Sequence, residues 1–136
     1  MRDANGNWTD YTYHAASGQV ETITYPPDKR GVRPQTRYSY TQLSATYYNL
    51  DGVLTQGSLI WMKSAAEYCI NSAASSGNCA GNDEVVTTYQ YEDKNLLLKG
   101  VTVSAPDGVR RTCYRYDIYG NQIGVTTPNA NMGSCP

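Results

Sequence analysis

The sequence predicts an all-β fold: antiparallel β-hairpins stacked edge to edge into a curved or spiral sheet. Three observations carry the prediction, namely tyrosines spaced two apart, turn signals behind them, and recurrence of both at about 25 residues. The chain has 136 residues with Tyr 13 and Phe 0, roughly a tenth tyrosine and about three times ordinary usage. Four Tyr-x-Tyr pairs, Tyr11/Tyr13, Tyr38/Tyr40, Tyr89/Tyr91 and Tyr114/Tyr116, take up eight of the thirteen. On a strand, a spacing of two puts both rings on one face, and tyrosine favours strands. The pairs start at 11, 38, 89 and 114, giving intervals of 27, 51 and 25. The middle interval is close to twice the others, which predicts one degenerate unit whose missing register falls near residue 63. Fixed periods of this size signal stacked supersecondary units.

The elements follow in order. The first unit, about 1–28, opens on the turn Asp3-Ala4-Asn5-Gly6-Asn7. It then runs through Tyr11-Thr12-Tyr13 into a turn from His14 to Gly18, and returns from Gln19 to Pro26-Pro27. The second, about 36–46, carries Tyr38-Ser39-Tyr40. An insertion follows at about 47–84. Within it Ser64-Ala65-Ala66-Glu67 has the spacing of a capping box, compatible with a short helix over 64–70. Gly57 and the Thr/Tyr-rich flanks favour instead a strand from Leu54 to Met62, joined to Val85–Tyr91 by a long loop. The third unit, about 85–106, turns at Glu92-Asp93-Lys94-Asn95 and runs from Leu96 to Ser104 before Pro106. The fourth, about 110–128, turns at Asp117-Ile118-Tyr119-Gly120-Asn121, alternates through Ile123, Val125 and Thr127, and stops at Pro128. An Asp opening such a turn caps its own backbone, and Gly three residues on accepts a positive φ.

The run from Tyr114 through Asp117, Gly120 and Asn121 to Pro128 resembles a unit of the RHS/YD-repeat family. These are large, secreted or surface-exposed, mostly bacterial proteins whose hairpins wind into a β-sheet spiral or cocoon. The first unit is similar at Tyr11, Tyr13 and Gly18 but has His14 where the repeat has Asp. The unit at Tyr89 and Tyr91 is degenerate, and the stretch from about Tyr47 to Glu84 departs from the pattern. The resemblance implies a non-catalytic segment of an exported shell, stalk or surface assembly, joined to further repeats or further copies through β edges. In many members the cocoon encloses a toxic C-terminal domain. The family's self-processing Asp-Pro-x-Gly site has no match here, so autoproteolysis does not carry over.

Four cysteines, Cys69, Cys79, Cys113 and Cys135, permit three disulfide connectivities. Their intervals lack the close pairs of a zinc site. Chain proximity favours Cys69–Cys79 across the small-residue loop from Asn71 to Asn78, after which Cys113–Cys135 ties down the tail. An even count in a polar chain points to an oxidising setting, extracellular or at the cell surface. No apolar span of about 20 residues is present, which argues against a membrane-crossing helix. No signal-type apolar region follows Met1, so any export signal is expected outside this sequence. A net charge of -1 gives no pull on nucleic acid or anionic membrane.

The search for chemistry is sparse, and no cofactor is expected. His14 is the single histidine and reads as a turn residue. The acid pairs Asp83-Glu84 and Glu92-Asp93 read as turn residues too, because neighbours on a strand point to opposite faces. No phosphate-cradling glycine motif occurs. Lys29, Arg30, Arg33 and Arg37 cluster around Pro26-Pro27 and Pro34, a candidate contact for an anionic glycan or surface protein, with a solvated linker as the favoured reading. Asn7-Trp8-Thr9 has the form of a glycosylation sequon and reads as chance. A row of tyrosines suits stacking on sugars, with cross-strand packing on the inner face of a curved sheet as the favoured reading.

Overall fold

The computed structural model describes residues 1–75, 78–128 and 133–136, with backbone only at 74 and 75. Twelve strands form, and no helix does among the described residues. They are β1 (Asp10–Tyr13), β2 (Val20–Thr24), β3 (Gln35–Leu43), β4 (Thr46–Tyr48), β5 (Leu54–Gln56) and β6 (Ile60–Cys69). The remainder are β7 (Ala74–Ser75), β8 (Asn78–Cys79), β9 (Glu84–Tyr91), β10 (Leu98–Ala105), β11 (Gly108–Tyr116) and β12 (Gln122–Val125). Eight of them make one antiparallel sheet in the order β1-β2-β3-β6-β9-β10-β11-β12. The pairs β4-β5 and β7-β8 are separate two-stranded hairpins. Chain order is kept throughout, so the sheet is a meander carrying two inserted hairpins.

The all-β, hairpin-built class is as the sequence predicts, but the long middle interval has a different cause. Residue 63 does not mark a missing unit: β6 runs through it and is the return strand of the hairpin that β3 begins. That hairpin is merely enlarged. The β4-β5 pair is inserted between its strands, and the β7-β8 pair is inserted before β9. The capping-box stretch Ser64–Glu67 is extended, since β6 pairs with β3 on one side and β9 on the other. Two ladders outweigh the weak local preference of two alanines for a helix. The expected strand from Leu54 to Met62 is split between β5 and β6, and Gly57 lies in the break, donating to the Ala45 carbonyl at 2.7 Å.

The turns reuse two solutions. Asp3 and Asp117 each accept backbone N–H bonds from the residues two and four ahead, at 2.9 Å, and a side-chain amide bond from Asn7 or Asn121 at 3.0 Å. Gly6 and Gly120 both take φ 84 to close these loops. Asp28 with Gly31 and Asn49 with Gly52 build the same loop, a recurrence of Asp/Asn-x-x-Gly that the tyrosine spacing does not flag. The turns after Tyr13 and Tyr91 are one residue longer. There Gly18 occupies the position that Leu96 fills at φ 57, the second at some backbone cost.

Little is buried. Among the described residues the buried apolar side chains are Cys69, Cys79, Val85 and Cys113. The accessible surface is 9086 Å², against about 7,000 Å² for a compact 15.0 kDa chain. A sheet one layer thick explains the excess. Two disulfides compensate, Cys69–Cys79 and Cys113–Cys135, with Cα atoms 5.6 and 5.5 Å apart, the pairing that chain proximity favours. Ser76 and Gly77 of the loop closed by the first lie outside the described residues. At Gly100 a Cβ would sit 2.6 Å from the Cys135 sulfur, so the second disulfide packs where a side chain would otherwise be.

Removing either disulfide by paired Cys→Ala substitution is expected to lower unfolding free energy by about 3 kcal/mol on the loop-entropy account. Urea titration of the two double variants checks this. Retention of full stability would show that the sheet does not rely on its cross-links.

Candidate functional site

Cross-strand partners in an antiparallel ladder share a face, so the register sorts every side chain to one side of the sheet or the other. Tyr11 pairs Ile23, Ile23 pairs Thr36, Tyr38 pairs Ala66, and Ala66 pairs Thr87. Tyr89 pairs Val101, Val101 pairs Thr112, and Tyr114 pairs Val125. All four Tyr-x-Tyr pairs therefore lie on one face. The opposite face carries Cys69 and Cys113, together with Arg37 bonded to Glu67 at 3.3 Å and to Glu84 at 2.8 Å.

Each hairpin contains the same irregularity. The register slips by one residue between Thr12 and Tyr13, between Ser39 and Tyr40, opposite Gln90 and Tyr91, and between Arg115 and Tyr116. In every case the return strand carries the extra residue: Glu21, Ser64, Lys99 and Ile123. Such a bulge redirects the backbone next to it and sharpens the local twist. The residue just before the bulge then offers its carbonyl to the next hairpin. The Tyr40 hydroxyl donates to the Val20 carbonyl at 2.5 Å, Tyr91 to Lys63 at 2.7 Å, and Tyr116 to Leu98 at 2.7 Å. The second tyrosine of the last three pairs thus caps the bulge of the hairpin before it. Phenylalanine has no hydroxyl to do so, which gives tyrosine at these three positions a physical reason.

The ring environments fit this role. Burial pushes the hydroxyls of Tyr38, Tyr40 and Tyr91 above their ordinary pKa. The Lys63 ammonium lies 4.0 Å from the centre of the Tyr38 ring, a cation–π contact. His14 sits in its turn against Tyr40 and Trp61, with centroids 5.4 and 4.7 Å away, and its Nδ1 lies 2.9 Å from the Ser17 hydroxyl.

The other sequence candidates are spent on holding the fold. Arg30 bonds Asp28 and the Asn71 carbonyl. Arg33 bonds Asp10 and the carbonyls of Trp8, Thr24 and Tyr25. With Arg37 tied to Glu67 and Glu84, three of the four basic residues have internal partners, while Lys29 stands exposed on its turn. Glu92 opens the turn after Tyr91, its N–H bonded to the Leu97 carbonyl, and Asp93 is exposed beside it. Asp83 accepts backbone bonds from Asn71 at 2.5 Å and Ser72 at 2.9 Å, as well as the Ser72 hydroxyl. Those donors, the Ser72 hydroxyl first, hold its carboxyl down at about 2. Cys69, Cys79 and Asp83 are close enough to suggest a metal cluster, but the sulfurs are joined to each other and the carboxylate is already occupied.

The bulge positions and the carbonyls they expose escape a reading of the sequence. They follow from register, which is set across strands, and no residue type marks them. Comparison with known proteins finds no matching family model, no similar curated protein and no similar solved structure.

Replacing Tyr40, Tyr91 or Tyr116 by Phe is expected to cost about 1 kcal/mol each, the worth of one neutral hydrogen bond. Tyr13→Phe, whose hydroxyl has no partner among the described residues, should cost close to nothing. Urea unfolding of the four variants reads the contrast. A carboxyl with a lowered folded pKa stabilises the fold above its unfolded value and loses that contribution as pH falls through the folded one. For Asp83 the loss therefore runs from 3.8 down to about 2. NMR titration should find its midpoint there, and Ser72→Ala should move the midpoint upward.

Proposed function

We propose that this chain is a non-catalytic structural segment of a secreted or surface-exposed RHS/YD-repeat protein, contributing a stretch of β-sheet shell or surface assembly. The observation that carries the reading is repetition at atomic level. Four hairpins share one bulge position, and three successive junctions share one hydroxyl-to-carbonyl bond. A sheet built this way grows by adding units, each repeating the bulge and the cap of the one before. The titratable groups that the sequence offers for chemistry instead cap turns or pair across strands. Two disulfides suit an oxidising, extracellular setting, and the surplus accessible surface suits a wall that further layers or further repeats cover.

A second reading, a self-assembling filament, is favoured by one observation: β1 and β12 stand at the two ends of the sheet, and open edges recruit strands. An antiserum raised against the folded chain separates the two. Immunoblots of the producing organism are expected to show a cross-reacting polypeptide far larger than 15.0 kDa in the extracellular or surface fraction. A free 15.0 kDa species forming filaments would favour the second reading, and a cytosolic band alone would overturn both.

A further inference from the structure

Three internal junctions between hairpins have one geometry. The residue after the bulge faces the residue before the first tyrosine of the next hairpin: Thr22 opposite Arg37, Ala65 opposite Thr88, and Gly100 opposite Cys113. The second tyrosine of that next hairpin then reaches the carbonyl of the residue before the bulge. The last hairpin has the first half of this device and lacks the second. Its bulge residue is Ile123, flanked by Gln122 and Gly124, and among the described residues no side chain donates to the Gln122 carbonyl. On its inner side β12 pairs with β11, and β12 is the final strand of the sheet. The described part of the tail does not cover its outer edge, because Cys135 is bonded to Cys113 and packs against Gly100.

We infer that the outer edge of β12 is a docking site for an incoming Tyr-x-Tyr strand. That strand adds antiparallel, its residue before the first tyrosine faces Gly124, and its second tyrosine donates its hydroxyl to the Gln122 carbonyl. The occupant is a further hairpin of this same type. The choice rests on the repeat-segment reading for its source and on continuity with the three existing junctions for its geometry. Specificity has two parts. The main-chain ladder accepts any strand of suitable length, whereas the hydroxyl fixes the register and distinguishes tyrosine from phenylalanine. Ile123 and Val125, 61% and 58% exposed, give the newcomer apolar surface to cover. In a second copy the open edge of β1 is a poorer donor, because the positions just before it that Thr126 and Val125 would face are taken: Arg2 bridges Trp8, and the Met1 carbonyl accepts from the Thr9 N–H.

Disulfide trapping tests the register. A Gly124→Cys chain is mixed, under thiol-exchange conditions, with synthetic peptides of its own residues 35–43. A Cβ at Gly124 meets only ordinary contacts with Arg115, at 3.7 Å and beyond. The peptide carrying Arg37→Cys is expected to form the mixed disulfide in preference to one carrying Thr36→Cys, whose thiol points to the other face. Adding Tyr40→Phe to the first peptide should lower its yield roughly fivefold, the effect of one neutral hydrogen bond. On the unsubstituted chain, the unmodified peptide should shift the amide resonances of β12, and the Tyr40→Phe peptide should do so more weakly. Equal yields from all peptides, or unmoved β12 resonances, overturn the inference. Predominant homodimers of the Gly124→Cys chain would instead make a second copy the occupant and overturn the choice made here. A negative trapping result beside a large secreted polypeptide on the immunoblot would defeat this docking geometry alone and leave the repeat-segment reading standing.

Discussion

A sheet one layer thick has no interior, so whatever holds its strands in register must lie on its faces or in its backbone. This constraint organises the molecule. Half-buried rings on one side and ion pairs with disulfides on the other do the work that a shared core does in a sandwich. The tyrosine hydroxyls matter because a bulge leaves a carbonyl aimed along the face, where no neighbouring N–H reaches it. A hydroxyl at the tip of a long flat ring spans that distance. The same ring covers apolar surface on the way, so one residue type meets two needs. Charge plays a smaller part. Asp3, Asp28, Asp83 and Asp117 are saturated by local donors, and Arg30 and Arg33 brace neighbouring loops.

Much of this was legible in the sequence. The Tyr-x-Tyr spacing located β1, β3, β9 and β11, and the turn at Asp117 was readable from its residues because an Asx-capped loop is a local device. The same local logic applies at Asp28–Gly31 and Asn49–Gly52, which the tyrosine spacing does not mark because neither turn follows a pair. The middle interval misled for a related reason. A doubled spacing has the same length whether a unit is missing or one unit has absorbed two hairpins. Only the pairing of β6 with both β3 and β9 separates these cases, and pairing is a long-range property. Ser64–Glu67 shows the limit from the other side, where a fair local helix signal gave way to two ladders.

The face to which each side chain belongs was partly readable too. Spacing by two puts paired rings together, but it does not say that successive pairs share a face across intervening strands. The cross-strand register settles that, since Tyr11, Ile23 and Thr36 and their counterparts in the later hairpins carry one face from each pair to the next. No composition or spacing reveals a bulge at Glu21, Ser64, Lys99 or Ile123, four residues with nothing chemical in common. The candidate site is thus written in the register, while the identity of its donors is written in the sequence.

The two disulfides carry a consequence for how such a chain changes over generations. Cys69 is bonded to a partner in the loop that follows its own strand, and Cys113 to a partner in the tail that follows its own hairpin. Neither cross-link joins two hairpins of the eight-stranded sheet, which are held to one another by ladder bonds, ring contacts, the hydroxyl caps and side-chain bonds such as Arg37 to Glu84. The first and third hairpins carry no cysteine, so either can be duplicated or deleted within the gene without stranding an unpaired thiol. The covalent wiring is confined to the second and fourth hairpins and the segments that follow them, which leaves the length of the array free to drift.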